Sequence, residues 1–278
     1  MNPLFRLNRV RWYARIPIKC LLFLLTVVGV CYPYPHLLVR HVSRWRDPNT
    51  LVEPDAPALE PLAEGLAPRL GGELSAADRL KQVERFVLQQ IPYEWDWNTW
   101  GVSDYLPTVE EVMEKGKEDC DGRAVIAASL LRRFGYKAEL VSDFAHVWVK
   151  TDEGELMGPG KSQAIVAGEH GLALRSGWFV PLARALAYGI GPFPLVRELI
   201  VVGVFWLLLL GRGVGFWRGV VALGLLIDGL LFLKVGGTQY LKPIVWMQIV
   251  GAANMLGAVF LLLLVRTSSP KPGRTEAS

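Results

Sequence analysis

Two side chains in the middle of the chain, Cys120 and His146, have the types required for catalysis by a thiol nucleophile. A cysteine sulfur attacks a carbonyl carbon as its thiolate, and a histidine can take up the thiol proton and later protonate a leaving amine. The pair therefore predicts acyl transfer through a thioester. A lone cysteine is also commonly a small buried residue, so the interpretation depends on where the fold places both side chains.

The pattern around Cys120 predicts that this residue begins a helix. Apolar residues recur at helical spacing after it, at Ala124, Ala127, Ala128, Leu131 and Phe134. Gly135 is suited to end the helix because glycine readily takes positive φ. We therefore expect Cys120 at a helix N-terminus, where the dipole lowers a thiol pKa and unpaired N–H groups could hold an oxyanion. Asp119 and Asp121 are predicted to cap this helix, and Asp119 could oppose thiolate formation.

Alternating polar and apolar residues predict two strands after the helix, at residues 137–141 and 146–151. His146 opens the second strand. The run Asp152-Glu153-Gly154 is typical of a hairpin turn, and residues 155–158 are predicted as a brief return strand. Cysteine and histidine would then lie on neighbouring elements of one small α+β core.

Three segments of this region together resemble the transglutaminase-like (papain-like cysteine) superfamily. They are GKEDCDGRA at residues 116–124, LLRRFGYKAELV at residues 130–141 and HVWV at residues 146–149. The resemblance implies an α+β fold in which a helix bearing Cys120 packs on antiparallel strands bearing His146. It also implies acyl-transfer or peptidase chemistry at these two residues. Our leading hypothesis is an enzyme that acts on amide bonds of protein or peptide substrates, and no metal or organic cofactor is implied.

One position departs from the pattern of that superfamily. Its members usually carry an aspartate in an Asp-Pro pair on the strand after the histidine, and here the corresponding pair is Gly158-Pro159. Asp152, Glu155, Asp143 or a backbone carbonyl are the candidates for orienting His146. The departure motivates a second hypothesis, in which the domain is a binding or scaffold module that has lost turnover.

An aromatic segment lies upstream of the cysteine, with Tyr93, Trp95, Trp97, Trp100 and Tyr105 close together. It is either a loop packed on the core or one wall of a substrate cleft. In the second case, as the family resemblance suggests, an indole N–H could assist an oxyanion.

Composition and charge indicate a membrane protein. The chain of 278 residues is 51% hydrophobic, and its long apolar runs lie in residues 1–35 and 190–265. The formal net charge is +4, but the bases collect beside the apolar runs while acids outnumber bases in residues 36–190. The basic balance therefore does not indicate nucleic-acid binding. The 3 cysteines suggest neither a disulfide framework nor a C-x-x-C metal pair.

The chain is predicted to contain nine consecutive regions. They are a basic leader (1–19), a signal anchor (20–39), a proline-rich spacer (40–72), a transglutaminase-like domain (73–176), an interfacial link (177–193), three spans (194–211, 216–235, 244–265) and a tail (266–278). The anchor could instead be a cleaved signal peptide. Ser75 and Thr108 begin capping-box patterns and predict two helices ahead of the cysteine.

The positive-inside rule places the basic leader and tail in the cytoplasm and the acidic middle domain outside it. Asp228, within a predicted span, is expected to be a hydrogen-bonded packing residue, with a transport role as the alternative. Hydrolysis and transamidation would use the same residues, so the sequence does not separate them. A weaker hypothesis makes the membrane segments an assembly platform that the thiol domain regulates. The sequence does not indicate an oligomeric state.

Overall fold

A computed structural model describes residues 12–142, 146–158, 165–168, 171–174, 186, 188–211, 214–238 and 244–264. Within these residues the chain divides into two compact units. One unit holds the described residues between 28 and 194, and the other holds those of residues 12–27, 195–236 and 244–264.

The helices are numbered in chain order as α1 Trp12–Cys31, α2 Pro35–Trp45, α3 Glu60–Leu66, α4 Ala76–Gln90, α5 Asp96–Thr99, α6 Val109–Lys115, α7 Cys120–Arg133, α8 Leu195–Leu209, α9 Phe216–Gly237 and α10 Val245–Leu263. Short 3-10 turns occupy Pro48–Leu51, Pro57–Leu59 and Ala67–Leu70. The strands are β1 Ala138–Ser142, β2 Val147–Thr151, β3 Gly154–Leu156, β4 Ile165–Gly168 and β5 Gly171–Leu174.

The first three strands form an antiparallel sheet in the order β1-β2-β3. Val149 in the central strand lies opposite Leu140 on one side and Leu156 on the other. This sheet confirms the predicted α+β class and the predicted succession of helix, two strands and return strand. The β4-β5 hairpin is a separate antiparallel pair that the sequence patterns did not predict.

Helix α7 forms the centre of the first unit and is almost entirely buried, with Ile126 and Leu130 fully enclosed. It packs against β1, β2, α4 and α6. Gly122 allows the first turn to approach its neighbours closely, since a Cβ there would collide with the side chains of Glu118 and Val112. The start of α7 is therefore fixed by packing on several sides.

The helix ends follow the predicted capping chemistry. The Ser75 hydroxyl accepts the Asp78 N–H at 3.1 Å, and Thr108 and Glu111 form a complete capping box at the start of α6. Gly116 ends α6 in the left-handed conformation, with φ of 65°.

The prediction that residues 40–72 form a spacer with little packed structure is wrong. Leu59 and Leu66 are completely buried in the same core as α7. The Glu53 N–H also donates to the Ser129 hydroxyl on α7 at 3.0 Å. Several of the prolines occupy the first turns of short helices, where a missing N–H costs nothing, so they do not mark an unpacked segment.

Within the described residues, three helices are long and apolar enough to cross a membrane: Ala14–Cys31, Phe216–Gly237 and Val245–Leu263. The predicted span 194–211 contains α8, which has 15 residues. Such a helix is about 22 Å long, shorter than the roughly 30 Å hydrocarbon core. The anchor was predicted at residues 20–39. The structure has a helix at Trp12–Cys31 in its place.

Helices α9 and α10 of the second unit pack through glycine. A Cβ at Gly229 would lie 2.7 Å from the Gly251 carbonyl oxygen, and a Cβ at Gly251 would lie 2.7 Å from that of Gly229. One turn along, Asn254 Nδ2 donates to Asp228 Oδ2 at 2.6 Å. Asp228 is thus hydrogen-bonded between two packed helices, as the packing interpretation predicted.

Several predicted features lie outside the described residues. They are most of the basic leader, Asp143, most of the interfacial link and the whole tail from residue 266.

Candidate active site

Cys120 is the first residue of α7, as predicted. Asp119 is the N-cap, and its Oδ1 accepts the Asp121 N–H at 3.1 Å. The Cys120 thiol lies 3.1 Å from Asp121 Oδ1 and donates to it. The sulfur is therefore at a helix start, but a carboxylate lies on each side of it in sequence.

The residue next to His146 meets this sulfur. Helix α7 packs on β2, and the backbone N–H of Val147 lies close enough to Cys120 Sγ to lower the pKa of its thiol. Val147 directly follows His146, so the residue after the histidine lies in the strand that packs on α7.

The His146 ring is held by a backbone group. Its Nε2 lies 2.6 Å from the carbonyl oxygen of Met157. Because a carbonyl only accepts, Nε2 carries the proton, and in the neutral ring Nδ1 is then the basic nitrogen. The ring also lies parallel to the indole of Trp148, with the centroids 6.4 Å apart.

Residues 64–167 match the family model of the transglutaminase-like superfamily, and the match includes Cys120, His146 and the three-stranded sheet. This part of the chain is a transglutaminase-like domain. No curated protein and no solved structure matches the chain significantly.

The side chains that were candidates for orienting His146, as a third catalytic residue would, lie in different surroundings in the transglutaminase-like domain. Asp152 lies in the exposed hairpin turn, 3.7 Å from Lys137. Glu155 extends its carboxylate beside Gly158, where a Cβ would lie 3.1 Å from Glu155 Oε2. The Met157 carbonyl oxygen contacts Nε2 of His146, which bears out the backbone-carbonyl candidate, while Asp143 lies outside the described residues.

A cluster of buried carboxyl groups lies beneath the cysteine. One oxygen from each of Asp96, Glu118 and Asp119 lies within 4.8 Å of the others, and the same holds for ligand atoms of Asp119, Cys120 and Asp121. Both sets have ligand types that could hold a metal ion. The sequence interpretation recognised Asp119 and Asp121 as caps but missed Asp96 and Glu118, whose only signal was their closeness to aromatic residues or to Cys120.

Backbone and indole N–H groups partly satisfy this cluster. The Tyr105 N–H donates to Asp96 Oδ2 at 2.5 Å, and the Asp119 N–H donates to Glu118 Oε2 at 3.0 Å. The Trp100 indole donates to Glu118 Oε1. Burial raises the pKa of Glu118 to about 7. Burial and the neighbouring carboxylates hold the pKa values of Asp96, Asp119 and Asp121 well above the usual range.

The predicted lowering of the thiol pKa is wrong in direction. Although Cys120 as a residue is half-buried, its thiol lies in closely packed surroundings, and burial is the main cause of a strongly raised pKa. The negative charges of Asp121 and Asp119 raise the pKa of Cys120 further, while the Val147 N–H acts in the opposite direction. Desolvation and two carboxylates thus outweigh the helix dipole.

The aromatic segment packs mainly on itself and on neighbouring rings. Trp95 stacks on Trp97 with centroids 4.8 Å apart, and Tyr93 meets Trp95 edge-on at 5.1 Å. Tyr105 is fully buried, and the indole N–H of Trp100 donates a hydrogen bond to Glu118. Trp100 is therefore not the indole that would assist an oxyanion.

Proposed function

We propose that the chain is a membrane-anchored cysteine enzyme that acts on amide bonds of extracytoplasmic proteins or peptides. Cys120 is the nucleophile and His146 is the general base and acid. The observation that carries the proposal is the packing of α7, which begins at Cys120, on strand β2, which His146 directly precedes. A transglutaminase-like domain around both residues supports the same chemistry.

In the proposed reaction the thiol proton passes to Nδ1 of His146 while sulfur attacks the amide carbonyl. The tetrahedral intermediate collapses when the C–N bond breaks and the imidazolium returns the proton to the leaving amine. The resulting thioester is released by water in hydrolysis or by a second amine in transamidation. Hydrolysis is the simpler outcome because it needs no second substrate site.

The raised pKa of Cys120 determines which form of the residue begins the reaction. At neutral pH the resting group is the thiol, so His146 must remove the proton as attack proceeds. First-turn N–H groups of α7 are the proposed donors for the oxyanion, apart from the N–H of Asp121, which donates to Asp119.

Alkylation kinetics test this proposal. In a Cys20→Ala/Cys31→Ala background, iodoacetamide reports on Cys120 alone. We expect His146→Ala to slow alkylation at pH 7.5 by about tenfold or more, since general-base assistance is typically worth ~10²–10⁴. His36→Ala, which removes an exposed histidine, is the matched control. Equal rates in the His146→Ala variant and the control would remove His146 from the mechanism.

A second candidate function is a binding or scaffold module without turnover. The raised thiol pKa and the absence of a carboxylate side chain at Gly158 favour it. In that case alkylation of Cys120 would be slow at neutral pH, would increase only in alkaline solution and would not depend on His146.

The orientation proposed for the membrane segments follows from charge. The three candidate spans support membrane association. We place the transglutaminase-like domain outside the cytoplasm and both termini inside, because bases flank the apolar segments. This arrangement needs a fourth crossing through the short helix α8.

Reporter fusions at residue 150 and at the C-terminus test both parts of the arrangement. We expect an extracytoplasmic signal at residue 150 and a cytoplasmic signal at the C-terminus. An extracytoplasmic C-terminus would mean that α8 does not cross the membrane. A cytoplasmic signal at residue 150 would overturn the whole orientation.

A further inference from the structure

Two consecutive hydrogen bonds connect helix α4 to the His146 ring through the backbone of Met157. The Met157 N–H donates to Glu84 Oε1 at 3.1 Å. The Met157 carbonyl accepts from His146 Nε2 at 2.6 Å. Both backbone polar groups of Met157 are therefore engaged, one by α4 and one by the histidine.

The backbone of Met157 has a conformation that side-chain-bearing residues rarely adopt. Its φ is 57°. Among the described residues, no other residue with a side chain has a positive φ. Such a conformation persists where the surrounding contacts over-determine it. The bond from the Met157 N–H to Glu84 is one such contact, and it uses a different backbone group from the one that meets the imidazole.

Core packing sets the position of Glu84. Helix α4 buries Leu80, Val83 and Val87, and the Leu80 side chain reaches the turn at Gly154 that begins β3. Glu84 lies one turn after Leu80 on the same helix, so its carboxylate is brought to the other end of β3, where Met157 follows Leu156.

We propose that Glu84 is a positioning residue for His146. It holds Met157 in the left-handed conformation, and the Met157 carbonyl then selects the tautomer of His146 that carries its proton on Nε2. The lone pair is thereby placed on Nδ1, the atom that receives the thiol proton. The inference rests on the proposed function for its catalytic meaning, although the tautomer itself can be measured without any activity.

The experiment uses the full chain in lipid nanodiscs with ¹⁵N-labelled histidine, and the His146 signals are assigned by their loss in His146→Gln. We expect the wild-type ring to be the Nε2–H tautomer. Glu84→Gln should keep it, because the amide oxygen still accepts the Met157 N–H. Glu84→Ala should give a mixture of tautomers and slow Cys120 alkylation by about tenfold, part of the ~10²–10⁴ that a general base supplies.

Three further variants separate this role from a general effect on folding. Glu64→Ala makes the same chemical change at an exposed site on α3 and should leave the tautomer unchanged. Glu84→Met fills the space without an acceptor and replaces the alanine variant if that one fails to fold. Adding Met157→Gly to Glu84→Ala should restore the Nε2–H tautomer, because glycine takes positive φ without support.

An unchanged tautomer in both Glu84→Ala and Glu84→Met would overturn the inference. So would failure of the added glycine to restore it. A shifted tautomer with alkylation that is independent of His146 would support the positioning role of Glu84 while removing the proposed enzyme function.

Discussion

The backbone N–H of Val147 lowers the pKa of the Cys120 thiol, although burial raises that pKa overall. The strand that follows the histidine therefore contributes an N–H group that favours the thiolate. Around the same sulfur, Asp119 and Asp121 favour the neutral thiol. The reactivity of Cys120 depends on the balance between these neighbours.

Removing either carboxylate is expected to activate Cys120. Asp119→Asn keeps an N-cap acceptor, and Asp121→Asn keeps the side-chain volume, so each lowers the thiol pKa with little change in packing. A decrease of one pKa unit multiplies the thiolate population about tenfold. The measurement is the pH dependence of iodoacetamide labelling, with the exposed Asp152→Asn as control. Unchanged profiles in both variants would show that burial alone sets the pKa.

The buried carboxyl cluster is expected to make the domain less stable as pH rises. Burial raises the pKa of Glu118 to about 7 and raises that of Asp96, so the folded state keeps protons that the unfolded state releases. For Glu118 the associated stability is complete below its usual pKa near 4.5 and is lost as pH rises through about 7. Urea unfolding followed by tryptophan fluorescence should therefore show falling midpoints across this range.

Asp96→Asn is expected to reduce that pH dependence and to stabilise the domain at pH 7.5 by about 1 kcal/mol. An asparagine oxygen can still accept the Tyr105 N–H, and its amide can donate where Asp96 Oδ1 has no hydrogen-bond partner among the described residues. Asp55→Asn, at an exposed site, is the control. A less stable Asp96→Asn variant would mean that the charged form is required there, as in a bound cation.

Leu59→Ala is expected to destabilise the transglutaminase-like domain by about 2–5 kcal/mol, because Leu59 is completely buried in the main core. Leu88→Ala removes the same atoms at a site that is 42% exposed and should change the unfolding free energy by less than about 1 kcal/mol. Urea midpoints measure both. Equal effects would restore the view of residues 40–72 as a spacer.

Gly251→Val is expected to separate helices α9 and α10. A Cβ at Gly251 would lie 2.7 Å from the Gly229 carbonyl oxygen, whereas one at Gly224 would meet no atom within 4 Å. Gly224→Val is therefore the matched control within the same helix pair. Thermal unfolding in detergent should show a lower midpoint for Gly251→Val only. Identical midpoints would contradict the glycine contact.

Local patterns predicted the elements around the cysteine well. Helical periodicity, the capping box at Thr108 and the left-handed glycine at Gly116 are encoded within a few residues, so their structures follow from nearby sequence. The α+β class, α7 and the three-stranded sheet are confirmed for the same reason. The catalytic roles of Cys120 and His146 remain predictions.

Features that depend on distant residues were missed. The thiol pKa follows from desolvation and from charges assembled by the fold, and helix position alone gave the wrong direction. Asp96 enters the cluster from a different segment of the chain. The Met157 carbonyl contacts His146 through the backbone. The amino-acid type at position 157 therefore does not reveal this contact.

The burial of Leu51, Leu59 and Ala63 has a practical consequence for anyone isolating the domain. The family match begins at residue 64, after all three. A fragment that begins at residue 64 would lack part of its hydrophobic core and expose apolar side chains of α7. Such a fragment is expected to aggregate. The smallest piece expected to fold independently begins ahead of the 3-10 turn at Pro48–Leu51.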